Sequence, residues 1–173
     1  MRRMIWAALA ALLGGLVACT NNPVTGEREL NLISTAQEIE IGQSNYAAYR
    51  QQQGGDYILE PELTRYVEEV GARLAAVSDR ELPYAFHIIN DSSPNAWALP
   101  GGKIAINRGL LVELGSEAEL AAVLAHEIVH AAARHGAQGL QRGLLLQGAV
   151  VLGGVALNDS QYQEIALAGW QLD

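Results

Sequence analysis

Three of the chain's four histidines fall in one alanine-rich apolar run, LAAVLAHEIVHAAARHG at residues 120–136. At about 100° per residue of α-helix, His126 and His130 lie one turn apart on a shared face, with Glu127 one residue to the side. That is the HExxH arrangement. Two imidazoles on adjacent turns can reach one zinc ion, while the neighbouring carboxylate is too far round the helix to be a third ligand and meets the water on the metal instead. Zinc lowers the pKa of such a water toward neutrality, so Glu127 is placed to take its proton and later hand it to the leaving amine of a cleaved peptide bond. Burying two histidines and a glutamate among Leu, Ala and Val costs desolvation unless something binds them, which argues against a purely structural helix.

The other two histidines read differently. On a continuous helix His135 stands about 180° from His126 and faces away, so it is not expected to be a ligand. His87 lies in a strand-like run and is expected to be partly exposed or hydrogen-bonded.

Several elements must position this helix. Ser116-Glu117-Ala118-Glu119 has the form of a capping box and starts it near Glu117. Upstream, Ser34-Thr35-Ala36-Gln37 forms a second capping box, opening a helix that should end by Gly54-Gly55. A further helix begins near Pro61, with Leu63, Tyr66, Val67, Val70 and Leu74 at the spacing of one buried face, slightly weakened by Gly71. Between these helices and the HExxH run the period changes. Residues 84–89, 96–99 and 103–106 are short strand-like runs separated by Ser-Pro-Asn and Pro-Gly-Gly turns, implying a small, mostly antiparallel sheet. Residues 143–157 are rich in glycine and aliphatics. At that length, with Gln147 inside, a buried or interface-lying helix is expected rather than a membrane span.

With 173 residues, half of them hydrophobic, the chain has room for one moderate core. The start of the chain stands apart from that core. Met1-Arg2-Arg3 and the apolar run at 5–17 form an export signal too short for a span. It leads into Leu16-Val17-Ala18-Cys19, which resembles a bacterial lipobox, so Cys19 is expected to be lipidated and to become the mature N-terminus. Residues 1–18 are then a signal peptide, 19–33 a lipidated N-terminus and turn-rich tether, and 34–173 the globular domain. Thr20 follows the cysteine, where an aspartate would resemble an inner-membrane retention signal. Cys19 is the only cysteine, so no internal disulfide can form. The net charge of −8, with no basic stripe, excludes a nucleic-acid-binding class.

Residues 93–102 (SPNAWALPGG), Arg108-Gly109-Leu110-Leu111 and the helix at 116–136 together resemble peptidase family M48, the HtpX and CAAX prenyl endopeptidase-like zinc metallopeptidases. Asn22-Pro23-Val24-Thr25-Gly26 with the Ser34 helix is similar to the start of the outer-membrane lipoprotein and periplasmic proteases among them. The resemblance implies an α+β, zincin-like fold, a small sheet packed on the HExxH helix. It also implies a cleft bordered by Asn95, Ala96, Trp97 and Ala98, where an extended peptide pairs with a strand edge. Trp97 reads equally as core. Val129 stands where the family often has glycine or another small residue. The family's third zinc ligand is a glutamate in a Glu-Ala-Asp-like motif on a later helix, and after His130 only Asp159, Glu164 and Asp173 remain. The domain is therefore expected to be incomplete at its C-terminus, with Glu164 as a possible substitute ligand.

Two functions follow. One is a zinc-dependent endopeptidase that cleaves unfolded or misassembled envelope proteins, anchored by lipid in the bacterial cell envelope, at the outer membrane facing the periplasm. The alternative is a non-catalytic envelope lipoprotein that binds polypeptides in a zincin-like groove.

Overall fold

The computed structural model describes residues 19–152. The signal segment at 1–18 and the acidic residues Asp159, Glu164 and Asp173 lie outside the described residues. Strands β1 (Cys19–Asn21) and β2 (Arg28–Leu30) pair antiparallel, with Cys19 opposite Leu30. Between them the Asn22 side chain accepts hydrogen bonds from the backbone N–H groups of Val24 and Thr25, at 2.9 and 3.2 Å. An Asx turn of this kind replaces a backbone turn with a side-chain oxygen.

Helix α1 (Thr35–Gln52) opens at Ser34 with the full reciprocal capping box and stops before Gly54 and Gly55, both at positive φ. Helix α2 (Pro61–Ala75) carries its proline in the first turn. Its Val67 and Val70 are buried and Leu63 and Leu74 pack beside them, but Tyr66 turns outward and donates to Glu117 Oε2 at 2.6 Å. Gly71 is more than a weak point, because a Cβ there would stand 2.7 Å from the Phe86 ring. The glycine lets the helix lie close against the sheet.

The sheet contains β3 (Ala85–Ile89), β4 (Ala96–Leu99) and β5 (Lys103–Asn107), in the order β3-β5-β4. Pairing of β4 with β5 is antiparallel, across a Pro100-Gly101-Gly102 turn in which both glycines take positive φ. Pairing of β3 with β5 is parallel, so this sheet is mixed, not mostly antiparallel as its turn signals suggest. The Ser-Pro-Asn segment does not close a hairpin. It carries the chain across to the far edge, and Asn107 ties it down by donating through its backbone to Asn95 O at 2.8 Å and through its side chain to Ser93 Oγ at 3.1 Å. All five residues of the central strand β5 are buried.

Helix α3 (Arg108–Leu111) is a single turn leading to α4 (Glu117–Ala132) and α5 (His135–Leu152). One core joins these elements: Val67 and Val70 from α2, Phe86 and Ile88 from β3, Ile104 and Ile106 from β5, and Leu120, Leu124 and Ile128 from α4. Steps of two on the strands and four on α4 are the periods that put one face of each element inside. Burial of each such side chain is worth roughly 1.5–3 kcal/mol. On α5, Leu144, Leu145 and Leu146 are exposed rather than buried, and among the described residues no helix is long and apolar enough to cross a membrane.

Candidate active site

The three burying positions Leu120, Leu124 and Ile128 fix the rotation of α4, and the remaining faces follow from it. Ser116 Oγ accepts from the Glu119 backbone N–H at 3.3 Å, so the helix starts where the capping signal places it. Glu119 does not complete the reciprocal box. Its carboxylate accepts from the Gly115 N–H instead. Glu117 is held by Tyr66 and by Arg73 Nη2 at 2.7 Å, tying the first turn of α4 to α2.

His126 and His130 leave the core on the outer side of α4, His126 exposed and His130 half-buried. Their Nε2 atoms lie 2.9 Å apart with ring planes at 72°. Two ligands of a tetrahedral zinc ion at roughly 2.0–2.1 Å stand about 3.3 Å from each other. An outward movement of about 0.4 Å therefore brings both nitrogens onto one ion, and the donor chemistry fits: two imidazoles converge through the same ring atom. Glu127, beside them, is buried at 8% exposure. Its carboxylate makes no hydrogen bond or ion pair with another described residue, and burial pushes its pKa from 4.5 up to about 7. A lone buried carboxyl held near neutrality suits proton transfer better than structural pairing.

Among the described residues no third His, Cys, Asp or Glu joins this pair into a cluster of three. His87 stands in hydrogen-bonding contact with Tyr46, its Nδ1 3.2 Å from the hydroxyl, and burial lowers its pKa. Of the strand positions tied to a substrate cleft, Ala96 and Ala98 pack on the core and Asn95 is exposed. Trp97 points to the opposite face, edge-on to Tyr49 at 4.8 Å and Tyr46 at 6.0 Å between ring centroids. Its indole N–H is buried without a partner among the described residues. Among the described residues β4 pairs with β5 alone, and no described strand lies along its other edge.

The helix does not run on to Gly136. It ends at Ala132, Arg134 takes a left-handed φ of 65°, and His135 opens α5. His135 therefore does not face away from the site. The reversal brings its Nδ1 to 2.7 Å from His130 Nδ1.

A buried ionic and polar cluster holds that reversal, and none of its members carries a local sequence signal. Glu38, with no exposure, receives both arms of Arg80 at 3.1 and 2.9 Å and has Arg134 Nη1 at 3.4 Å. Arg80 also donates to Ala131 O at 3.2 Å, and Asn22 Nδ2 donates to Ala133 O at 2.9 Å. Both carbonyls are among those a helix C-terminus leaves unpaired. Arg134 itself donates to Asn31 Oδ1 at 2.8 Å and to Ile33 O.

Comparison with known proteins bears on this arrangement. The chain is 36% identical over 144 residues to the mitochondrial metalloendopeptidase OMA1 of Schizosaccharomyces pombe, covering 79% of this chain and 42% of that protein. It is 33% identical over 129 residues to the beta-barrel assembly-enhancing protease of Yersinia pestis, 72% of this chain and 26% of that one. To the protein of that name from Escherichia coli K12 it is 29% identical over 166 residues, 90% and 34% of the respective chains. The chain thus spans less than half the length of each of these relatives. Residues 61–169, which take in the core strands, the helix bearing His126, Glu127 and His130, and the reversal behind it, match the model of Peptidase family M48, and the chain belongs to that family.

Proposed function

We propose that the protein is a zinc-dependent endopeptidase with a zincin-like domain over residues 34–173, acting on unfolded or misassembled envelope polypeptides. The observation that carries this reading is the convergence of two imidazole Nε2 atoms, 2.9 Å apart, beside a buried glutamate that has no partner among the described residues. His126 and His130 hold the metal. Zinc, when bound, supplies Lewis acidity for an oxygen of the scissile amide or of the attacking water. Glu127 accepts the proton of that water and returns it to the amine leaving group, a role for which a pKa near neutrality is suited.

Asn95, Ala96, Trp97 and Ala98 border the substrate path, and the unpaired edge of β4 offers backbone groups to an extended chain. Backbone pairing gives affinity without demanding a sequence, which fits unfolded substrates. Cys19 carries the lipid, after removal of residues 1–18, and sets the protein on the periplasmic face of the outer membrane. Relatives named for β-barrel assembly support an envelope setting, while OMA1 is a mitochondrial relative.

The test is a pair of substitutions assayed on casein with a chelator control. Glu127→Gln keeps zinc and loses hydrolysis by at least 10²- to 10⁴-fold, because an amide has the carboxylate's shape but cannot take the proton. His126→Ala loses zinc and activity together. Wild-type cleavage by zinc-loaded Glu127→Gln protein would refute the peptidase and favour a lipoprotein that only binds polypeptides in the groove.

A further inference from the structure

His130 is gripped on both edges of its ring. Its Nε2 faces His126 Nε2 at 2.9 Å, and its Nδ1 faces His135 Nδ1 at 2.7 Å, with the second pair of ring centroids 4.7 Å apart and the planes at 75°. A neutral imidazole has one N–H and one lone pair, so two ring nitrogens at hydrogen-bond distance share a single proton. If His130 is to present its Nε2 lone pair to a metal, its proton must sit on Nδ1. That proton points at His135 Nδ1, which accepts it, and His135 then carries its own proton on Nε2.

We propose that His135 is a positioning residue for His130, accepting the Nδ1–H hydrogen bond that fixes the metal-binding tautomer and the plane of the His130 ring. The inference rests on the metal reading of His126 and His130 and adds to it the group behind the second ligand. His135 does not converge on the point between the two Nε2 atoms. It meets the opposite edge of the ring, where an outer partner orients a metal-ligating histidine and raises its basicity.

The acceptor is itself firmly held. His135 follows directly on Arg134, whose left-handed turn is pinned by Asn31, Ile33 and Glu38, and Gln138, one turn further along α5, donates to Ala133 O at 3.1 Å. Backbone anchored on both sides keeps the imidazole at His130 without relying on its own packing. A freely mobile side chain would lose that orientation to rotamer entropy.

The test compares His135→Asn with His135→Leu, two side chains of similar size, of which only asparagine can place an accepting oxygen where Nδ1 stands. Zinc affinity is read in the full chain by competition with a chromophoric chelator, and ligand geometry by the visible absorption of the cobalt(II) form. His135→Leu should bind zinc about 10- to 100-fold more weakly and shift the cobalt bands, while His135→Asn stays within a few-fold of wild type with its bands unmoved. Wild-type affinity in His135→Leu, or equal losses in both variants, overturns the proposal. His126→Ala is the reference: if it binds zinc as the wild type does, the metal reading fails and the proposal with it. Loss of zinc by His126→Ala alone leaves the metal reading standing and removes His135 from it.

Discussion

Glu127 should cost the metal-free protein stability at neutral pH. The residue is buried at 8% exposure, its carboxylate has no partner among the described residues, and burial raises its pKa from 4.5 to about 7 on folding. A raised pKa means that the folded state binds the proton more tightly than the unfolded state does, so unfolding releases protons. The group therefore favours the fold fully below about pH 4.5, and this contribution is lost as pH rises through about 7. At about 1.36 kcal/mol per pKa unit the whole loss is about 3.4 kcal/mol, of which roughly 2.5 falls between about pH 5 and pH 8. Glutamine in its place does not titrate. The stability of chelator-treated Glu127→Gln protein relative to wild type should thus improve by about 2.5 kcal/mol across that interval, some 9 °C in Tm for about 130 ordered residues. Thermal unfolding followed by circular dichroism at several pH values measures it. Parallel pH profiles for the two proteins would refute the reasoning, since they would mean that the carboxylate finds water or a partner in the folded state.

Three other substitutions have defined outcomes. Arg80→Met removes the two-armed partner of a fully buried carboxylate, leaving Glu38 with Arg134 at 3.4 Å, and should lower stability by roughly 3–5 kcal/mol in urea unfolding, less when combined with Glu38→Leu. Gly42→Ala should destabilise by roughly 2–4 kcal/mol in the same assay, because its Cβ would overlap the backbone oxygen of Pro100 and force α1 off the β4–β5 turn. Cys19→Ser should abolish labelling by radioactive palmitate and release the protein from membranes, since several acyl chains are needed for stable anchoring; equal labelling of both forms would remove the lipid anchor from the account.

The arrangement of the candidate site pair was legible because its relation is local. Spacing of i and i+4 on a helix with a readable start sets His126 beside His130 whatever the rest of the chain does, and Leu120, Leu124 and Ile128 decide which way that pair faces. The end of the same helix was not legible. Ala131-Ala132-Ala133 has the strongest helix propensity available and no glycine or proline comes before Gly136, so local preference favours continuing to that residue. What stops it is Arg134 in a left-handed turn, costly for a residue with a Cβ, held by partners 101 and 103 positions earlier. The sheet order escaped for the same reason: a turn signal says that the chain bends, not which strand it will lie beside, and the hydrogen bonds that carry residues 90–95 across the sheet come from Asn107.

The continuous helix that local propensity favours would send His135 away from His130; the observed break returns it to 2.7 Å. Asn22 and Arg80, neither of them near the HExxH run in sequence, secure the end of α4 by donating to the carbonyls of Ala133 and Ala131, and Glu38 holds Arg80 and Arg134 in place by accepting from the one and lying against the other. The candidate histidine pair is therefore written in five consecutive residues, whereas what its second member meets depends on the folding of segments more than forty residues away.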